Sequence, residues 1–302
     1  MFTLERKMKK LKFLQALLFI LAFFSCSLKK EKIQNPQKIK NYAEFNKIIP
    51  ERIVSLSPAA TELLAEAGAI SQIAARTDFC DYPQEVLQIE SVGGFDGKSI
   101  SQEKLLSFSP DLVCLTSGMH DYLTEFLENQ KINFYILSQN SVSMILNDIL
   151  TLGEITGNSE TAQKNVQKIT RCLNKIKSKT ENLPKVSVYW EIWDSPLMSI
   201  GKNSFITELI SLSGGKNIFD SINADYPLVS EEEILFKNPD VIIFSSENIN
   251  GKTKIQNREG WKNLSAVKEQ KIFPLDTNFI TRPGSRIAES IEILLKIFHP
   301  EI

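Results

Sequence analysis

Histidine is scarce in this sequence, which has only His120 and His299 among its 302 residues. A zinc or manganese site usually needs several converging histidine and carboxylate ligands, so the sequence disfavours a receptor for first-row metals and a histidine-based catalytic triad. No G-x-S-x-G elbow, P-loop, H-E-x-x-H or G-x-G-x-x-G pattern occurs. The sequence therefore predicts no catalytic residue, no metal site and no enzymatic activity, with an α/β hydrolase as the rival class.

The chain also lacks an excess of charge of either sign. Its formal net charge is −1, so nothing global favours a nucleic-acid partner. The length suits two modest lobes of roughly 100–150 residues each. The length therefore predicts a two-lobed protein, and we expect it to be a monomer.

The longest apolar run, residues 14–24, is too short to span a membrane. It follows several lysines and ends at Ser25–Cys26, as the apolar core of a bacterial lipoprotein signal does, although Phe23 replaces the usual leucine. Residues 1–26 are therefore predicted to be a lipoprotein signal with Cys26 as the lipidated residue; an ordinary signal peptide is the alternative. Residues 27–50 are polar and predict a flexible tether. The signal, the lipid and the tether together predict a protein of the cell envelope that is anchored through lipid to the outer face of a membrane.

An internal repeat divides the rest of the chain. Residues 100–117 (ISQEKLLSFSPDLVCLTS) align without gaps with residues 229–246 (VSEEEILFKNPDVIIFSS). Each copy predicts a short helix with a serine cap, a Pro-Asp turn and a strand whose continuous apolar run is typical of parallel sheets. Each half also begins with a strand followed by a helix that closes at glycine, Gly68 or Gly214. The two halves therefore predict two Rossmann-like α/β lobes with parallel central sheets.

The segment between the two halves is helical. Apolar residues recur at helical spacing from about 159 to 180, which predicts one long amphipathic helix. We therefore divide the chain into a first lobe at 51–141, connecting helices at 142–183 and a second lobe at 184–302. A long connecting helix is stiff, so large hinge closure is not expected.

Six segments carry a family resemblance through their order and spacing: RIVSLSPAATELLAEAGA from 52, DFCDYP from 78, SISQEKLLSFSPDLV from 99, SFITELISLSGGKNIF from 204, YPLVSEEEILFKNPDVII from 226 and RPGSRI from 282. Through these segments, residues 51–300 resemble the helical-backbone (cluster A, class III) substrate-binding proteins of ABC importers. This family serves cobalamin, ferric siderophores and haem, and within it the chain is most similar to members that bind cobalamin. The resemblance implies an ABC permease dimer with its ATPase subunits as the partner, a bulky ligand and no resident cofactor.

The resemblance also implies two kinds of functional residue. A glutamate on each lobe pairs with permease arginines in this family, and the matching positions are Glu103 and Glu232, which the repeat independently makes equivalent. Solvated helix carboxylates are the plain alternative for both. The implied ligand contacts in a cleft between the lobes are Ser57, Pro58, Ala59, Phe79, Tyr82, Phe95, Ser117, His120, Trp190, Trp193, Tyr226, Phe279 and Arg282.

Three ligands stay open at this point. Flat aromatic walls suit a corrin such as cobalamin, although Phe95 and Phe279 replace tryptophans of the cobalamin-binding members. Haem is an alternative because Met119, His120 and Tyr122 form a cluster of axial-ligand types. A ferric siderophore is the third, since arginines meet anionic chelates; the candidates for that role are Arg76, Arg282 and Arg286.

Overall fold

A computed structural model describes residues 49–94 and 100–302 of the chain. The predicted signal segment with Cys26, nearly all of the predicted tether, and Phe95 lie outside the described residues. Within the described part, no helix combines the length and the apolar character that crossing a membrane requires.

The first lobe is built on five parallel strands. They are β1 Ile53–Ser55, β2 Ile73–Thr77, β3 Ser91–Gly93, β4 Leu112–Thr116 and β5 Asn133–Leu137. Their order across the sheet is β3-β2-β1-β4-β5. The central strands β1 and β4 are buried almost throughout, as the continuous apolar runs of the sequence predicted.

Short helices cover this sheet: α1 Pro58–Glu66, α2 Gln102–Ser107 and α3 Thr124–Asn129. Helix α1 begins directly after β1 because Ser57 caps it, with its Oγ accepting the Ala60 N–H at 3.1 Å. Single turns of 3₁₀-helix lie at Ile70–Gln72, Gln84–Gln88 and Asp121–Leu123. Apolar side chains of these helices and of the strands form one buried cluster around Val54, Leu105 and Val113.

Two connecting helices, α4 Val142–Ile155 and α5 Ser159–Thr180, join the lobes. The second is 22 residues long, so the structure confirms the predicted long helix. Its buried positions Ala162, Ile169 and Ile176 recur every seven residues, which is one face of the helix.

Among the described residues, the second lobe contains six strands and six α-helices. They are β6 Val186–Glu191, β7 Trp193–Asp194, β8 Leu197–Met198, α6 Phe205–Leu212, β9 Gly215–Asn217, α7 Glu231–Lys237, β10 Val241–Ser245, α8 Gly251–Asn257, α9 Ser265–Lys268, β11 Ile272–Leu275, α10 Thr277–Ile280 and α11 Ile287–Phe298.

Four of these strands form a parallel sheet in the order β11-β10-β6-β9, and β7 and β8 form a small antiparallel hairpin. Helix α11 packs against α6 and α5. In the core, the Tyr189 ring contacts the Phe219 and Trp261 rings edge-on, with 6.3 and 5.9 Å between ring centroids.

The internal repeat appears in the structure as α2 with β4 in one lobe and α7 with β10 in the other. The aspartate of each Pro-Asp pair binds the start of the neighbouring parallel strand. Asp111 accepts the Arg52 N–H at 3.0 Å, and Asp240 accepts the Ser187 N–H at 2.9 Å. The Pro-Asp turns therefore bind the start of the neighbouring strand in the same way in both lobes.

A buried carboxylate joins the two lobes. Glu62, on α1 of the first lobe, is 1% exposed and accepts hydrogen bonds from Arg282 at 3.0 Å and from Arg286 at 2.7 Å. Both arginines lie between α10 and α11 in the second lobe. Gly284 lies so close to the Glu62 carboxylate that a Cβ there would collide with it.

Aromatic rings and a second carboxylate complete this ionic cluster. The Arg286 guanidinium lies 4.1 Å from the Tyr82 ring centroid and 4.5 Å from that of Phe279. Arg282 also binds Asp81 at 2.7 Å. Burial raises the pKa of the Asp81 carboxyl, but the hydrogen bond from Arg282 and the positive charges of Arg282 and Arg286 together outweigh burial, so the pKa lies below its ordinary value.

Replacing Glu62 by glutamine tests whether this cluster holds the lobes together. The change removes the negative charge that two largely buried guanidinium groups share and leaves only Asp81 beside Arg282, so we expect Glu62→Gln to lower the free energy of unfolding by about 2–4 kcal/mol. Asp81→Asn is the matched control. The Asp81 side chain is 62% exposed, so we expect a cost of about 1 kcal/mol or less. Urea denaturation of both variants measures the difference, and equal costs would contradict this role for Glu62.

Candidate functional site

Two adjoining cavities lie at the ends of strands that face each other across the lobes. The first has a volume of about 620 Å³ and the second about 570 Å³, and Thr281 lines both. Ligand sites in parallel α/β proteins lie at the carboxyl ends of strands, where these cavities are found. We call the two cavities together the cleft.

The first lobe supplies most of the first cavity. Helix α1 presents its N-terminus there through Ser57, Pro58 and Ala59, and Phe79 and Arg282 also line it. All five were predicted from the sequence. The remaining lining residues are Asp78, Asp81, Thr116, Met119, Gln139, Asn278, Thr281 and Pro283.

The α1 N-terminus offers fewer donors to a ligand than the sequence suggested. Pro58 has no N–H, Ala60 donates to Ser57 Oγ, and Thr61 donates to the Ser57 carbonyl at 3.0 Å. Within the described chain, the Ala59 N–H is the donor of the first turn left for a ligand.

The second lobe supplies the second cavity, where two predicted aromatic residues stand. Trp193 and Tyr226 line it and are 59% and 52% exposed, close to the 54% of Phe79 across the cleft. Large aromatic side chains exposed at this level in a concave site are available to cover a flat ligand. The cleft therefore has aromatic surfaces on both lobes.

Several predicted contacts are placed elsewhere. His120 and Trp190 are completely buried, and the His120 Nδ1 accepts the Thr116 N–H at 3.0 Å. His120 therefore stabilises the loop after β4. Trp190 lies in the interior of the second lobe. Ser117 is exposed but is not among the residues that line the cavities.

Tyr82 and Phe279 are placed beside the cleft and not in its lining. Their rings enclose the Arg286 guanidinium, so they hold the ionic cluster that borders the first cavity. Sequence reasoning missed Glu62, the centre of that cluster. The available signal was a glutamate in an apolar helix together with two arginines four residues apart near the C-terminus.

Gln139 is a lining residue that sequence reasoning also missed. It follows β5 directly, so the strand-end rule that placed other candidates applies to it as well. The side chain is 8% exposed, and within the described chain its Nε2 has no hydrogen-bond partner. Buried amide groups are usually satisfied, which marks this position as one where a ligand or water would be bound.

Carboxylates outnumber basic groups in the described lining of the cleft. Five acidic and two basic side chains line the two cavities. They are Asp78, Asp81, Glu191, Asp194 and Glu247, against Arg282 and Lys254.

Both basic side chains of this lining are already paired. Arg282 binds Glu62 and Asp81, and Lys254 binds Asp194 at 3.2 Å. The described lining therefore offers an anionic ligand no cation that is not already neutralised.

Glu103 and Glu232 occupy the same position, the second residue, of the repeat-related helices α2 and α7, and both are exposed. The Ser101 hydroxyl donates to the Glu103 carboxylate at 2.6 Å and lowers its pKa. Ser101 and Ser230 cap the two helices.

The structure separates Glu232 from its acidic neighbours. Glu231 accepts the Trp261 indole N–H at 3.3 Å, and Glu233 forms a capping box with Ser230. Within the described chain, Glu232 alone of the three has no intramolecular partner, so its carboxylate is available to a partner protein.

No metal site is present among the described residues: they contain no group of three or more histidine, cysteine, aspartate or glutamate side chains placed to hold an ion.

The chain matches the periplasmic binding protein family over residues 53–278. It is 28% identical over 253 residues to the vitamin B12-binding protein of Vibrio vulnificus, covering 82% of this chain and 90% of that one. It is 27% identical over 260 residues to YvrC of Bacillus subtilis, an uncharacterized ABC transporter substrate-binding lipoprotein, covering 83% and 81%. The crystal structure of the periplasmic vitamin B12-binding protein BtuF of Vibrio cholerae matches with a TM-score of 0.71 and 27% identity, covering 82% and 96%.

The match spans both lobes and the connecting helices, and it confirms the fold class and the resemblance found in the sequence. Proteins of this kind bind solutes and do not catalyse reactions. The chain belongs to the periplasmic binding protein family, and it is an ABC-importer substrate-binding protein of the branch that serves vitamin B12, haem and siderophores.

Proposed function

We propose that this chain captures cobalamin in the cleft and delivers it to an ABC permease, as a lipoprotein anchored through Cys26. The observation that carries the proposal is the charge balance of the cleft: among the described residues, the two basic side chains that line it are both already paired with carboxylates. Relatives that are 28% identical over most of the chain are named for vitamin B12, which supports the same ligand.

The charge of the cleft favours a ligand without strong negative charge. Haem carries propionates and ferric siderophores are commonly anionic, so both need unpaired cations. Asp78 and Glu247 accept hydrogen bonds from the neutral donors Ser91 and Asn278, so these contacts bring no positive charge to their carboxylates. Placing an anionic ligand against them costs several kcal/mol. A corrin with amide side chains avoids this cost.

The size and walls of the cleft agree with a bulky macrocycle. Ordinary small-molecule sites are about 300–1,000 Å³ in volume, and two adjoining cavities of about 620 and 570 Å³ exceed the need of a small solute. Phe79 on one side and Trp193 and Tyr226 on the other provide flat apolar surfaces that suit a corrin.

Haem is the second candidate, on a specific observation. Met119 lines the first cavity and is 39% exposed, and Tyr122 is 45% exposed; both residue types bind haem iron. His120, the third candidate in this loop, is completely buried. Haem ligation would therefore rest on Met119 or Tyr122, and a Soret band lost in Met119→Ala or in Tyr122→Phe would favour it.

Removing an aromatic wall should weaken cobalamin binding. We expect Trp193→Ala to raise the Kd for cobalamin by about tenfold or more, because covering a tryptophan face contributes roughly 1.5–3 kcal/mol. Leu87→Ala is the control, since Leu87 is 47% exposed and lies outside both cavities. Calorimetric titration of both variants measures the change. An unchanged Kd for Trp193→Ala would argue against contact between the Trp193 ring and cobalamin.

Reversing the docking charges should separate capture from delivery. We expect the double variant Glu103→Arg with Glu232→Arg to bind cobalamin as the wild type does and to lose uptake, because like charges would then face the permease arginines. Glu128→Arg, on helix α3 of the first lobe, is a charge-reversal control that should keep uptake. Uptake of radiolabelled cobalamin by cells measures both, and wild-type uptake by the double variant would end the docking proposal.

A further inference from the structure

The docking helix α7 carries a large apolar side chain that the fold does not use. Phe236 is 90% exposed, whereas Ile234 of the same helix is completely buried in the core. Phe236 lies four residues after Glu232, and residues at this spacing share one helix face. Leu228, two residues before the cap Ser230, is 63% exposed. Two exposed apolar residues that bracket an available carboxylate indicate an interaction surface.

Comparison of the two copies of the internal repeat shows that this pair of apolar residues occurs in the second lobe and not in the first. In the gap-free alignment of the two copies, Phe236 corresponds to Ser107, and one residue further back Leu228 corresponds to Ser99. Both copies keep the capping serine and the docking glutamate. The two lobes thus share the charged contact and differ in the apolar one.

We infer that Phe236 and Leu228 form an apolar contact with the permease beside the ion pair of Glu232. This inference rests on the proposed function. Aromatic side chains next to charged contacts are typical of the residues that dominate interface affinity. The second lobe therefore contributes more to docking than the first.

The charges around Phe236 favour a protein partner over a lipid surface. Glu231, Glu232 and Glu233 stand on the same short helix, whose one basic residue is Lys237 beside Phe236, so the helix carries an excess of negative charge. Anionic phospholipid headgroups repel such a cluster, whereas basic permease side chains attract it. The occupant of this surface is accordingly a partner that combines cations with an apolar pocket.

Substitutions at Phe236 in the full-length lipoprotein, expressed at a limiting level in cells, test the inference. We expect Phe236→Ser to lower the uptake of radiolabelled cobalamin by about tenfold or more, and Phe236→Leu to keep most of it. Ser107→Ala at the repeat-matched position and Ile249→Ser, which removes another apolar side chain that is 81% exposed, should both retain uptake. The Kd for cobalamin should be the same in all four variants.

Each other outcome overturns the inference in a distinguishable way. Wild-type uptake by Phe236→Ser, while the Glu103→Arg and Glu232→Arg double variant has none, removes the apolar contact and leaves the proposed function intact. Wild-type uptake by both removes the proposed docking as well. Weaker binding of purified Phe236→Ser to anionic phospholipid vesicles without permease would indicate a lipid contact. Loss of a wild-type dimer on gel filtration would indicate a contact between two copies of the chain.

Discussion

Glu62, buried in the first lobe, binds two arginines that come from the far end of the chain. A guanidinium group that is largely buried cannot lose its carboxylate without a cost of several kcal/mol. The contact therefore holds the segment between α10 and α11 against α1 and keeps the strand ends of the two lobes facing each other. Because this cluster and the connecting helix α5 fix the lobes before a ligand arrives, little ordering has to accompany binding.

The same contact determines what the cleft can bind. Arg282 lines the first cavity, but its charge is already neutralised by Glu62 and Asp81. What the cleft presents to a ligand is a set of exposed aromatic rings, a few polar groups and an excess of carboxylates. Such a surface recognises shape and hydrogen-bonding pattern more than negative charge, and a corrin offers both. The carboxylates that we propose as permease contacts lie on α2 and α7, outside the lining of the cleft, so in this proposal capture and delivery use different residues.

Much of the fold could be predicted from the sequence, because the apolar runs at 112–115 and 241–244 and the helical spacing at 159–180 are local patterns. The equivalence of Glu103 and Glu232 in the two lobes followed from the repeat. The environment of a single side chain could not be predicted in the same way. Trp190 lies inside β6 and His120 follows β4, yet both are completely buried. The link between Glu62 and Arg282 spans 220 residues, and no local pattern reveals it.

We propose that the cleft binds a bulky ligand without relying on ion pairs. Calorimetric titration of the purified chain with cobalamin, haemin and a ferric siderophore, at low and at high salt, tests this proposal most directly. We predict that cobalamin binds and that its Kd changes little with salt, since surface ion pairs are screened and apolar contacts are not. Tight binding of haemin or of the ferric siderophore, weakened by salt, with no binding of cobalamin, would contradict the proposal.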